Sequence, residues 1–174
     1  MKTLRLYLVG VIGLAAAFAL QAAEVPKPPA RTEVIFSNPD QFTDAKESYM
    51  DTEKGRDALL EQIREFIVTK ADAVLPPGQK LTITFTDVDL AGDFEPWRGA
   101  QFGDIRIVKS IYPPGFKFTF KVTDESGRTV KEGAENIRDM AFDMRLTIDR
   151  QDPLRFEKDI LNDWIRRHLR APKA

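Results

Sequence analysis

The chain has 174 residues, with 26 Lys and Arg against 27 Asp and Glu, one histidine and no cysteine. That composition excludes disulfides, thiolate chemistry and a zinc site of the Cys/His kind, and it offers no basic excess for nucleic acid. None of Ser37, Ser48, Ser110 and Ser126 lies in a G-x-S-x-G elbow, a serine triad would have to recruit His168 near the chain end, and Gly-rich phosphate loops are missing.

Lys2 and Arg5 precede an uncharged apolar run from Leu6 to Leu20, and small residues follow. This is the order of a secretory signal peptide. Residues 1–23 are therefore expected to be a signal peptide cut after Ala22 or Ala23, which sends the protein to the periplasm. The apolar run is short against the roughly 20 residues of a membrane span, and no cysteine follows it to carry a lipid. Without Lys2 and Arg5, 24 basic residues face 27 acidic ones, a net charge of −3. The expected product is soluble, not membrane-spanning after cleavage, and long enough for one core.

Residues 24–32, EVPKPPART, read as a Pro-rich extended linker, and residues 33–170 as a single domain. Glu33–Phe36 is a short strand, and Ser37-Asn38-Pro39-Asp40 a turn. The polar segment Thr43–Ser48, between Phe42 and Tyr49, has no clear assignment. From Glu53 to Val74, Leu59, Ile63, Phe66, Ile67, Ala71 and Val74 recur at steps of three and four, the stripe of an amphipathic helix. Pro76-Pro77-Gly78 ends it.

Four strand-like runs follow. Leu81–Leu90 alternates, and Asp104–Ile111 sets Ile105 and Ile107 opposite Arg106. Tyr112-Pro113-Pro114-Gly115 suits a type II turn with Pro114 and Gly115 at its centre. Phe116, Phe118, Phe120 and Val122 alternate with Lys117, Thr119 and Lys121, and Glu125-Ser126-Gly127 turns the chain into Arg128–Gly133. Asn136–Ile148 fits a short helix through Ile137, Met140, Ala141 and Met144. Asp152-Pro153 then opens a last helix with Leu161, Trp164, Ile165 and His168 on one face and Arg166, Arg167 and Arg170 at its end. The fold class expected is two-layer α+β: a mainly antiparallel sheet of three to five strands, with a long helix and a C-terminal helix packed on one face.

VIFSNPDQFTDAK (Val34–Lys46), LTITFTDVDLAGDFEPW (Leu81–Trp97), DIRIVKSIYPPGFKF (Asp104–Phe118) and DPLRFEKDILNDWI (Asp152–Ile165) resemble the bacterial domain of unknown function family 3016, DUF3016, over essentially the whole mature region. The resemblance implies an exported protein of Gram-negative bacteria. It carries no established catalytic residues.

The chemically densest stretch is Thr84–Trp97. Asp87 and Asp89 share the parity of Leu81, Ile83 and Phe85, so an unbroken strand would aim both carboxylates into the core. Burying unpaired carboxylates costs several kcal/mol. Either the strand bulges near Thr86–Asp87 and flips parity, or the aspartates accept backbone N–H groups and a cation such as Arg106. The D-x-D-x-x-x-D-x-E spacing of Asp87, Asp89, Asp93 and Glu95 departs from the EF-hand loop. No metal or cofactor is therefore assigned, and a calcium site here would be non-standard. Trp97 with Phe94 would form an exposed ledge for a partner or glycan. Phe116, Phe118 and Phe120 belong to the core and not to a nucleic-acid platform, because their lysines face the other way. Arg166, Arg167 and Arg170 favour the helix end, and His168 packs. The expected function is a non-enzymatic binding or interaction module of the cell envelope, with an envelope protein or glycan as partner. Its candidate binding residues are Asp87, Asp89, Asp93, Glu95, Phe94, Trp97 and Arg106. The alternative is a carboxylate-based enzyme acting on glycan, with or without calcium, through the Asp87–Glu95 cluster.

Overall fold

The computed structural model describes residues 29–145 and 150–170. The expected signal peptide and most of the linker lie outside the described residues. Among the described residues, eight strands and α-helices run in the order β1 (Thr32–Phe36), α1 (Glu53–Asp72), β2 (Lys80–Asp89), β3 (Asp93–Phe94), β4 (Arg106–Ile107), β5 (Gly115–Thr123), β6 (Thr129–Arg138) and α2 (Arg155–His168). The principal sheet has the order β1-β2-β5-β6, with β1 parallel to β2 and the other pairs antiparallel. β3 and β4 form a separate two-stranded ribbon.

Alternation decides which face is covered. Leu81, Ile83 and Phe85 of β2 lie opposite Val122, Phe120 and Phe118 of β5, and all six are buried. Leu59, Leu60, Ile63, Ile67 and Ala71 of α1 close over that face beside Ile160, Leu161, Trp164 and Ile165 of α2. Trp164 meets Phe118 and Phe120 edge-on at 4.9 and 5.0 Å and stacks on His168 at 5.3 Å, so His168 does pack against the core's aromatic rim. On the other face Thr82 and Thr84 are half-buried, and Lys117, Thr119 and Lys121 are exposed. The domain is α+β in two layers.

Helix boundaries follow local chemistry. Thr52 caps α1 by accepting the Gly55 N–H at 3.1 Å. Arg31 clamps the other end, its guanidinium donating to the carbonyls of Asp72, Leu75 and Pro76 at 2.6, 3.2 and 2.7 Å. Arg31 and Thr32 are thus bound into the fold and are not linker: Arg31 satisfies carbonyls that the end of a helix leaves free, and the Thr32 hydroxyl donates to the Asp72 carboxylate at 2.6 Å.

Several elements differ from expectation. Asn136–Arg138 continues β6, with Ile137 opposite Phe116. Only Phe142–Met144 makes a helical turn, and the last part of the helix expected over 136–148 lies outside the described residues. Met140 and Met144 are exposed, while Phe142 packs edge-on against Phe156 at 4.9 Å. The expected strand Asp104–Ile111 shrinks to Arg106–Ile107, because β3 offers only two residues to pair with. Gly115 lacks the positive φ of a type II turn and is already in β5. The chain turns earlier, where the Tyr112 N–H donates to the Lys109 carbonyl at 2.9 Å. Asp152 does not cap α2 directly. Its carboxylate accepts the Leu154 N–H at 2.9 Å and the Lys158 ammonium at 2.5 Å, and the helix begins two residues later than Pro153 suggests.

Candidate functional site

β2 pairs Phe85 with Phe118 but Asp87 with Lys117, so Thr86 is an extra residue. That bulge resolves the conflict in the strand's pattern. Val88 turns inward opposite Phe116 and is fully buried, while Asp87 and Asp89 move to the open face. Asp87 accepts the Thr43 N–H at 2.8 Å, the Thr43 hydroxyl at 3.0 Å and the Lys117 ammonium at 2.8 Å. Against the cost of burial, the Lys117 and Thr43 hydrogen bonds hold its carboxyl below the usual range. Asp89 pairs with Arg138 at 2.6 Å, yet burial, with Asp44 and Asp87 nearby, pushes its carboxyl upward.

Arg106 is not the partner of Asp87 or Asp89. Its guanidinium meets Asp44 at 2.6 and 3.0 Å and donates to the carbonyls of Gly92 and Lys46 at 3.0 and 2.8 Å. It also lies 4.6 Å from the centre of the Phe94 ring. This close docking needs Gly92, whose φ is +82° and where a Cβ would stand 2.8 Å from the Ile107 carbonyl oxygen.

The four carboxylates of Asp87–Glu95 do not meet at one point. Asp93 accepts the Phe94 N–H at 2.7 Å. Glu95, 2% exposed, is held by Lys109, by the Tyr112 hydroxyl at 3.0 Å and by Arg98. The Lys109 hydrogen bond lowers its carboxyl despite burial, with Tyr112 and Arg98 adding to it, and Glu95 in turn raises the Tyr112 phenol. Among the described residues, no three of His, Asp and Glu gather as around a metal ion. The expected aromatic ledge is half present. Trp97 is 71% exposed on the turn Pro96–Arg98, but Phe94 is buried beneath Arg106 and cannot belong to a surface.

Leu90 and Ala91, just beyond the bulge, instead form one wall of a cavity of about 190 Å³. Leu59 of α1 and Pro153 and Leu154 before α2 complete its apolar lining, and Lys46, Glu47, Gln62 and Arg106 stand at its rim. Glu157 of α2 also lines it and is 1% exposed. Its Oε1 accepts the Ala91 N–H at 2.6 Å, whereas Oε2 has no hydrogen-bond partner among the described residues. Burial pushes this carboxyl upward; the N–H groups of Ala91 and Glu157 and the charges of Arg106 and Arg155 only moderate the rise. The group can therefore keep its proton where an ordinary glutamate has lost it, and act as a donor inside an apolar recess.

Glu157 is absent from the expected site. The signal was present in the sequence, since Glu157 stands three and four residues before Ile160 and Leu161, on the apolar stripe of the last helix. A carboxylate there has to find a partner or stay neutral.

No helix among the described residues is long and apolar enough to cross a membrane. Neither the curated proteins nor the solved structures contain a match to the chain. A family model matches residues 30–167, from the first described strand almost to the end of α2. The chain belongs to the family of proteins of unknown function DUF3016.

Proposed function

We propose that this protein is an exported component of the cell envelope that works by binding, not by catalysis, and that the cavity lined by Glu157 is its binding site. The observation that carries the reading is the pairing of an apolar recess of about 190 Å³ with one buried carboxyl that has an unused oxygen. Ligand sites are built this way, as apolar walls with very few placed polar groups. A glycan enzyme working through Asp87–Glu95 has less support, because Asp87, Asp89 and Glu95 are each bound to a cation of the fold. Export is supported by Lys2, Arg5 and the apolar run after them.

Two measurements test the reading. Cell fractionation with N-terminal sequencing should find the protein in the periplasm, beginning near Ala23 or Glu24; a full-length chain confined to the cytoplasm would rule export out. Native mass spectrometry of protein taken directly from cells should show a fraction carrying extra small-molecule mass, reduced when Leu90→Trp fills the recess. Wild type and variant each appearing only at its own bare mass would count against a ligand site. Trp97, 71% exposed, is where we place a second, macromolecular contact, since tryptophan is enriched at interfaces over the rest of a protein surface. A photo-crosslinker placed there should capture an envelope partner.

A further inference from the structure

We infer that the cavity takes a compact, neutral molecule bearing a carbonyl oxygen, which hydrogen-bonds the buried, unpartnered Oε2 of Glu157. The inference rests on the binding reading above and names its ligand class.

Depth orders the lining. Glu157, Leu90, Ala91 and Leu154 are buried, Lys46 and Arg106 are half-buried, and Glu47 is exposed. Glu157 is thus the one buried polar side chain of the lining. Its Oε1 is already used by the Ala91 N–H. What remains is Oε2, which as the acid carries a hydrogen and lacks an acceptor among the described residues. A buried donor left unpaired costs free energy that a ligand acceptor restores.

Charge selects against ions. An ammonium ligand would have to ionise Glu157 within an apolar lining and would meet Lys46 and Arg106 on the way in. A carboxylate gains little from Arg106, whose four Nη donors are taken by Asp44 and the carbonyls of Gly92 and Lys46. The remaining rim charges, Lys46 and Glu47, are opposite in sign. A neutral acceptor is the chemistry that leaves no charge buried. Volume limits the body: an engineered apolar cavity of about 150 Å³ holds benzene, and this one is slightly larger.

The test uses three probes on one ring, benzamide, benzoate and benzylamine, with protein purified as the cell exports it. Binding is read from the methyl signals of Leu59, Leu90 and Leu154. Benzamide should shift those methyls at pH 7 and bind more tightly than either ion. In Glu157→Gln the side-chain carbonyl can keep the Ala91 N–H while its NH₂ replaces the acid as donor. Its benzamide affinity should stay within about threefold of wild type, whereas Glu157→Leu should lose about tenfold, the scale of one buried hydrogen bond. Tighter binding of benzylamine in wild type, abolished in Glu157→Gln, would overturn the ligand class and make this a cation site. Preference for benzoate would overturn it in the other direction. Both outcomes leave the binding reading standing; methyl signals unmoved by all three probes would overturn the ligand class and count against the cavity as a site. Should Glu157→Leu fail to fold, the comparison of probes in wild type and Glu157→Gln decides alone.

Discussion

Arg106 meets Asp44 through both carboxylate oxygens, at 2.6 and 3.0 Å, and so fastens the β3–β4 ribbon to the segment that leaves β1. Asp44 is itself tied to β2, its N–H donating to the Val88 carbonyl and its carbonyl accepting the Leu90 N–H, each at 3.0 Å. One guanidinium therefore holds three separate pieces of chain at the cavity rim.

Arg106→Met should cost about 2–3 kcal/mol in urea unfolding, because charge-assisted hydrogen bonds are lost and Asp44 is left half-buried without its cation. Asp44→Asn should cost clearly less in the Arg106→Met background than in wild type. Equal costs in both backgrounds would show that the pair is not coupled.

The two tryptophans should separate cleanly. Trp164→Ala opens a void between Phe118 and Phe120 and should destabilise by about 3–5 kcal/mol. Trp97→Ala should stay within about 0.5 kcal/mol of wild type, as exposed positions do. Fluorescence checks the placement: Trp164→Phe should leave red-shifted, readily quenched emission, and Trp97→Phe blue, protected emission.

Glu157 makes stability depend on pH in a defined direction. Its folded-state pKa is raised, so the folded protein keeps a proton that the unfolded chain releases. The stability it contributes is full below the ordinary glutamate range and declines as pH rises from there through the raised value. Glu157→Gln does not titrate. The Tm of wild type relative to that variant should fall as pH rises above 4.5, the ordinary value, and a constant difference would contradict the raised pKa.

Asp124 should show the opposite sign. Its carboxylate accepts the Ser126 hydroxyl at 2.6 Å, the Ser126 and Arg128 N–H groups at 3.0 Å each and the Arg128 guanidinium, which lowers its pKa to about 2. The β5–β6 turn is then tightest above pH 3.8, the ordinary value, and loosens as pH falls toward about 2. An NMR titration of the Asp124 carboxyl should place its midpoint near 2; a midpoint in the ordinary range would mean that the turn's hydrogen bonds do not persist in solution.

How far the fold could be read from sequence depends on how each segment meets solvent. α1 and β5 are covered on one side only, so Leu59, Ile63, Ile67 and Phe116, Phe118, Phe120 print their periods directly. β6 is an edge strand, and most of its residues are exposed on both faces. With no covered face it has no alternation to read, and its Asn136–Arg138 end passes for helix. The ribbon misleads in the opposite sense, since Ile105, Val108 and Ile111 look like strand core and are exposed. Around Asp87 the conflict of pattern was visible, but its resolution requires Lys117 and Thr43, which come from other parts of the chain. The cavity is less legible still. Its wall is assembled from Leu59, Leu90 and Leu154, and only Glu157, a carboxylate on an apolar stripe, marks it locally.

The extra residue at Thr86 divides β2 into two rulers with opposite phase. In a saturation mutagenesis of the strand, intolerance to polar replacement should fall on odd positions through Phe85 and on even positions from Val88. Pairing Thr86 in the ladder instead of bulging it out would merge the two phases, send Asp87 and Asp89 toward the helices and expose Val88, a frameshift written in side-chain orientation instead of codons, whereas deleting Thr86 would merge them with all three side chains left where they are.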